Sequence, residues 1–238
     1  MTIDLPTHIW DPIYTAILTD FGFDRQHDER ARDTLNRLCA DAVLTPSQLP
    51  DISGECVWIA GAADRLRSDI DRLDSSDTIF AASTATGTLN AAGLQVALHV
   101  TDLDKDEEVT VARSQQGKPI ALHAHGDNRD QIEQYVPRMD TSSVLPTTQA
   151  APLDRVRNPG GFTDGDRAAF LAHALGAEEL RFVGWDVTDS TVSPQKKQKL
   201  QWAERLLYWL ETRRGEQFKV LAGRRSGIDI SQFPDPRV

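Results

Sequence analysis

The sequence predicts an α/β fold, a mostly parallel sheet with helices on both faces in the Rossmann-like manner, preceded by a small helical N-terminal segment. Two observations carry this. Six short apolar runs recur after residue 51, "CVWIAGA", "DTIFAAS", "VALHVTDL", "PIALHAHG", "SSVLPTT" and "LRFVGWDV", and the connections between most of them are long enough for crossover helices. By contrast, residues 1–50 contain no convincing strand, and "DERARDTLNRLCADAVL" repeats Ala31, Leu35, Leu38 and Ala42 at helical spacing.

Taken in order, the N-terminal helical segment is assigned to residues 1–50 and the α/β catalytic domain to 51–238. The boundary falls in "TPSQLPD", where Pro46 and Pro50 interrupt any helix. After the fifth strand, a helix over 164–175 is marked by Phe170, Leu171, Ala174 and Leu175, with Gly176 as its stop. A second helix runs through "KLQWAERLLYWLETRR", with Leu200, Ala203, Leu206, Leu207 and Leu210 on one face. Its Trp202 and Trp209 are read as core or interface residues. "FKVLAG" is assigned as a last strand, and no internal repeat is visible.

Composition excludes several classes of function. A net charge of −10 opposes binding to nucleic acid or an anionic membrane, which carry charge of the same sign. No apolar run is long enough to span a bilayer, and "MTIDLPTHIW" lacks a signal-peptide pattern, so the expectation is a cytoplasmic protein. Cys39 and Cys56 are read as reduced core residues. Asp outnumbers Glu by 26 to 10 and Arg outnumbers Lys by 20 to 6, a balance that suggests a salt-loving host. The oligomeric state is left open, with a homo-oligomer allowed.

In a parallel sheet the residues just beyond each strand's carboxyl end gather along one edge, where such folds bind ligands. Asp102 and Asp104 follow one strand, Asp127 and Asn128 another, and Asp186 the last, while Asp164 and Asp166 begin a helix. The spacings Asp104–Glu107, Asn128–Gln131 and Thr163–Asp166 equally suit helix capping, and capping alone explains neither Asp102 nor Asp127. Two carboxylates 4 Å apart at an effective dielectric near 20 repel by about 4 kcal/mol, so either protons or a cation must relieve the cluster. Asp oxygens without clustered thiolates suit Mg²⁺ and, with it, a nucleotide's phosphates. His123 and His125, two apart on a strand, keep a zinc-dependent hydrolase open as an alternative.

Positive groups for phosphate are available in Arg167, at a helix start, and in Lys196, Lys197 and Lys199. The turn "WIAGAADRL" has neither a dinucleotide fingerprint nor a P-loop.

The series "VTDLD", "HAHGDN", "PTTQ", "GGFTDGDRA" and "GWD" resembles the archaeal 6-hydroxymethyl-7,8-dihydropterin pyrophosphokinases of the MptE type, and the resemblance extends to "DFGFD" and "DERARDTL". It implies an α/β fold related to thiamin pyrophosphokinase. It also implies transfer of diphosphate from ATP to the pterin hydroxymethyl group with release of AMP, using Mg²⁺, on the route to folate or tetrahydromethanopterin. By this resemblance Asp102, Asp104 and Asp127 form the metal group, and Asp164 and Asp166 join it or orient its waters. The catalytic set is Asp102, Asp104, Asp127 and Asp166. Substrate or phosphate contacts fall to His125, Asn128, Thr163, Asp164, Arg167, Asp186 and Lys199. Two turns depart from the family pattern: "GAADRL" replaces a "GAGPSL"-like turn and "ASTATG" an "ADGA"-like one, changing Ala63–Asp64 and Ser83–Thr84. The competing classes are the zinc hydrolase, a non-catalytic nucleotide-binding protein, and a glycosyltransferase of a distant related branch.

Overall fold

A computed structural model describes residues 2–189 and 191–237. The strands are β1 (Cys56–Ala60), β2 (Thr78–Ala82), β3 (Leu98–Thr101), β4 (Ile120–Ala124), β5 (Val144–Thr148) and β6 (Glu179–Val183), one at each of the six apolar runs, with β6 starting one residue before its run. They form one sheet in the order β5-β4-β3-β2-β1-β6, with every pairing parallel. The chain therefore steps across the sheet from β1 to β5 and then returns to lay β6 against the free side of β1. All carboxyl ends point to one edge, and the direction of winding reverses between β1 and β6.

The helices follow from which sheet face needs covering. Helices α1 (Thr7–Phe21), α7 (Asp164–Ala174) and α8 (Pro194–Arg214) share a core with Val57, Ile59, Phe80, Leu98, Val100, Ala121 and Leu145. Alternate residues face the other way, as the two-residue period of a strand requires. There Trp58, Ala60, Ile79 and Ala81 meet α3 (Leu66–Asp69) and α4 (Ala85–Ala91). Further along the same face, Ile120, Leu122, Ala124 and Val144 meet α2 (Arg25–Leu38), α5 (Glu107–Gln115) and α6 (Arg129–Tyr135). The break between these two clusters is polar. His99 of β3 is buried there, with Nδ1 2.7 Å from Thr86 Oγ1 and Nε2 3.2 Å from Thr110 Oγ1.

The N-terminal helices are integral to this packing. Ile9, Trp10, Ile13 and Ile17 of α1 are almost fully buried in the core formed by α7 and α8. At about 1.5–3 kcal/mol for each buried large side chain, this contact is comparable to the whole stability of an ordinary domain. Gly22, in the left-handed conformation at φ 66°, ends α1, and Asp24 caps α2 by accepting a bond from the Gln26 N–H.

Trp202 and Trp209 are both core residues. The Trp202 indole donates to Asp20, and Trp209 stacks on Phe170. "FKVLAG" is not a strand: Lys219–Leu221 is a short 3-10 turn. Its buried residues, Phe218 and Leu221, are three apart instead of two, and the Phe218 backbone is already engaged, its N–H by Glu211 and its carbonyl by Arg225. No described helix is long and apolar enough to cross a membrane.

Candidate active site

The sheet's carboxyl edge opens into a cavity of about 460 Å³. Its floor is the turn after β3. Leu103 takes a left-handed backbone, φ 62°, and is completely buried, while its N–H is held by Thr101 Oγ1 at 3.1 Å. A non-glycine residue in that conformation costs roughly 1–2 kcal/mol, which the buried leucine side chain offsets. Inward fixing of Leu103 leaves both of its neighbours, Asp102 and Asp104, lining the cavity. Asp104 does not cap the following helix, which starts only at Glu107.

Asp164, at the first position of α7, comes up beside this pair, and one oxygen from each of Asp102, Asp104 and Asp164 lies within 4.8 Å of the others. The electrostatics record the crowding. Burial, then the charge of Asp102, pushes the Asp104 carboxyl up to about 6. Burial and the same neighbour push Asp164 well above the ordinary carboxylate range, against the pull of Arg167. Burial would also raise Asp102, yet its bond to His125, and Arg167 behind it, hold it below that range. A compact trio of carboxylate oxygens facing a cavity is the donor set a hard divalent cation prefers.

Three lysines join Arg167 near the trio. Lys105 follows Asp104, and Lys196 and Lys199 reach the cavity from the first turns of α8, where Ser193 caps the helix. Lys196 is close enough to lower the proton affinity of Asp104 and Asp164. Beyond them, the turns after β1 and β6 lie against each other: a Cβ on Gly61 would sit 2.6 Å from the Gly184 carbonyl oxygen. Trp185 fits beside these turns, touching Gly61 and Gly165 and donating from its indole N–H to the Ile59 carbonyl at 3.1 Å.

Eight of the residues expected from the sequence line the cavity: Asp102, Asp104, His125, Asp127, Thr163, Asp164, Asp186 and Lys199. Three do not. Asp166 is fully buried and closes a capping box, accepting from the backbone N–H groups of Phe162 at 2.6 Å and Thr163 at 2.9 Å, and from the Thr163 hydroxyl. Arg167 is buried behind Asp164, donating to it at 2.9 Å and to the Phe162 carbonyl at 2.8 Å. Asn128 is buried beneath the edge, its amide donating to the carbonyls of Asp102 and His123, both at 2.7 Å. Asp127 lines the wall as an exposed residue outside the compact carboxylate group, whose third member is Asp164. Asp186 is partly engaged, accepting from the N–H and hydroxyl of Thr188.

The two histidines separate in role. His125 Nε2 is 3.2 Å from Asp102 Oδ2, whereas His123 is buried with Nδ1 3.1 Å from Thr147 Oγ1. Burial, with Arg167 nearby, drives the His123 proton affinity far down. No histidine belongs to the compact metal-capable group found among the described residues.

The sequence reading assigned no role to Asp28, Gln149 or Asp69. Asp28 accepts from the Tyr14 hydroxyl at 2.6 Å, the Gln149 amide at 2.8 Å and the Gly126 N–H at 2.6 Å, tying α2 to the turns after β4 and β5. Asp69 of α3 accepts from the Gly184 N–H at 3.0 Å and so fixes the turn after β6. Asp28 opens "DERARDTL" and Gln149 ends "PTTQ", two of the segments that carry the family resemblance.

Residues 41–191 match the model of a family described as MptE-like, 6-hydroxymethylpterin diphosphokinase MptE-like. Three archaeal proteins named 6-hydroxymethyl-7,8-dihydropterin pyrophosphokinase are similar over most of the chain. The one from Methanothermobacter thermautotrophicus is 36% identical, covering 87% of this chain and 96% of its own. That from Pyrococcus furiosus is 35% identical, with 85% and 93% covered. That from Methanocaldococcus jannaschii is 34% identical, with 74% and 78% covered.

Proposed function

Since the chain belongs to the MptE-like 6-hydroxymethylpterin diphosphokinase family, we propose that it transfers diphosphate from ATP to the hydroxymethyl group of 6-hydroxymethyl-7,8-dihydropterin, yielding the pterin diphosphate and AMP. The observation that supports this most directly is the carboxylate trio Asp102, Asp104 and Asp164, set in one cavity with Lys105, Lys196 and Lys199. Phosphoryl-type transfer demands little covalent chemistry from a protein, chiefly positioning and neutralisation of charge. The trio has the chemistry to hold Mg²⁺, which when bound would supply positive charge to the triphosphate. His125 orients Asp102, Arg167 orients Asp164, and the Asp166 capping box fixes the helix start from which Asp164 projects. The lysines supply the remaining positive charge for the phosphates. The product serves a folate or tetrahydromethanopterin pathway.

The test is direct. Purified protein incubated with ATP, Mg²⁺ and 6-hydroxymethyl-7,8-dihydropterin is expected to release AMP and form a diphosphorylated pterin in equal amounts. Formation of ADP and a monophosphorylated pterin would defeat the diphosphate assignment, and unchanged ATP would defeat the catalytic one.

A further inference from the structure

We infer that the acceptor's pterin ring is recognised at the end of the cavity built by the N-terminal helices, with Asp28 Oδ1 accepting from the ring's 2-amino group and Phe23 and Phe162 supplying apolar surface for the ring. This rests on the diphosphokinase reading above and adds where the acceptor binds.

Three observations carry it. The first is charge. The lysines line the cavity from the β3 turn and α8, whereas residues 22–28 contribute Asp24, His27 and Asp28 to the wall, and Arg25 is paired with Asp11 and does not line it. That wall repels a polyphosphate but suits a neutral ring whose 2-amino group and N3–H are adjacent donors.

The second is the state of Asp28. It is 4% exposed, borders the cavity, and forms no ion pair among the described residues. Its three partners, Tyr14, Gln149 and Gly126, all donate, so the carboxylate acts purely as an acceptor. Two of these bonds fall on Oδ2 and only one on Oδ1, leaving acceptor capacity on Oδ1. An acceptor with spare capacity, nearly out of water and without a cation, favours a ligand that brings donors.

The third is position. Gly126, which donates to Asp28, directly follows His125, which contacts Asp102 of the carboxylate trio. A ring held at Asp28 therefore lies close to the trio, as an acceptor hydroxyl must. Phe21 connects the two apolar walls, its ring centroid 5.1 Å from both Phe23 and Phe162.

The experiment compares two ligands, the natural pterin and an analogue lacking the 2-amino group, on the intact protein and on Asp28→Asn and Phe23→Ala. Direct binding is read from pterin fluorescence, and affinity for a non-hydrolysable ATP analogue is measured separately. The wild-type protein is expected to bind the analogue about 10- to 100-fold more weakly than the pterin. Asp28→Asn should lose a similar factor on the pterin and discriminate poorly between the two ligands, with ATP-analogue affinity within twofold of wild type. Phe23→Ala, which leaves the Asp28 network untouched, should weaken both pterins and spare the nucleotide. Equal wild-type affinity for the two pterins, or variants that lose nucleotide while keeping pterin, would overturn the assignment. Because binding is read without turnover, a wild-type protein that binds pterin selectively but transfers no diphosphate would refute the proposed reaction and leave this subsite standing.

Discussion

His125 and Asp102 are joined through Nε2 and Oδ2 at 3.2 Å, while the other ring nitrogen of His125, Nδ1, faces the Asp127 backbone N–H at 3.3 Å. A backbone N–H can only donate, so Nδ1 accepts and the ring presents Nε2–H to the carboxylate. His125 is thereby committed to holding Asp102 in place and has no free nitrogen to act as a base. His125→Ala should raise the Mg²⁺ concentration for half-maximal activity about 10- to 100-fold, the usual consequence of losing the partner of a metal ligand. His123→Ala should lower the melting temperature and leave that concentration unchanged. Magnesium titrations of the two variants test the distinction, and a tightly bound zinc lost from either would reverse it.

The carboxylate trio implies a conflict between stability and activity. Carboxylate oxygens within 4.8 Å of one another repel when charged, and the His125–Asp102 and Arg167–Asp164 contacts leave Asp104 without a direct cationic partner among the described residues. Asp104→Asn relieves this, and because its side chain is exposed the gain is discounted to about 1 kcal/mol, or roughly 2–4 °C in melting temperature. The same change should reduce turnover by at least about 100-fold, since a charge that draws the cation is gone. Asp127→Asn, outside the trio, should change both far less. Calorimetry without metal, paired with initial rates at saturating Mg²⁺, would settle it.

Much of this site was legible because a parallel sheet collects its strand ends along one edge, so Asp102 and Asp104 could be placed from the apolar run before them. Choosing Asp164 over Asp127 as the third carboxylate depended on backbone detail. Leu103 turns left-handed, Gly160 and Gly161 both have φ 90°, and Arg167 stands behind Asp164. A Cβ on Gly161 would meet the Arg167 backbone, so the close approach that aims Asp164 is invisible to spacing rules. The Asp28–Gln149 bond joins residues 121 positions apart, and neither residue is distinctive in its own segment. "FKVLAG" misled because an apolar run carries no mark that side chains of Glu211 and Arg225 will claim its backbone.

Acid should destabilise the protein through histidines that packing keeps neutral. Burial, then Arg113, pushes His99 down to about 3, and burial with Arg214 pushes His173 down to about 4. An unfolded histidine takes up its proton near pH 6.5, whereas these folded ones do not, so the unfolded state binds more protons below that pH. Stability contributed by the neutral rings is therefore complete above pH 6.5 and is lost as the pH falls toward 4, at up to about 1.4 kcal/mol per pH unit for each histidine. His99→Gln should flatten the slope between pH 6.5 and 4 by about one proton, as read from urea unfolding at a series of pH values. An unchanged slope would mean that His99 does not contribute to the acid sensitivity.

The final expectation concerns the close approach of the turns after β1 and β6, which shapes the lysine side of the cavity. A Cβ added at Gly61 would lie 2.6 Å from the Gly184 carbonyl oxygen, and one added at Gly184 would press on the Gly61 carbonyl. Neither obstacle is a flexible side-chain end, so the two turns must separate. Gly184 also has φ 67°, where any side chain is strained. Separation would displace Trp185 and Asp186 together, and through the Asp69–Gly184 bond it would loosen α3. Gly61→Ala is expected to cost about 1–3 kcal/mol, as overpacking does, and to raise the KM for ATP more than that for the pterin, because the pterin end is anchored on α2. Gly87, inside α4 with open space at its Cβ position, provides the contrast. Gly87→Ala should be neutral or stabilise by up to about 1 kcal/mol, with both KM values unchanged. If Gly61→Ala instead raised the pterin KM alone, the nucleotide and acceptor ends of the cavity would have to be exchanged.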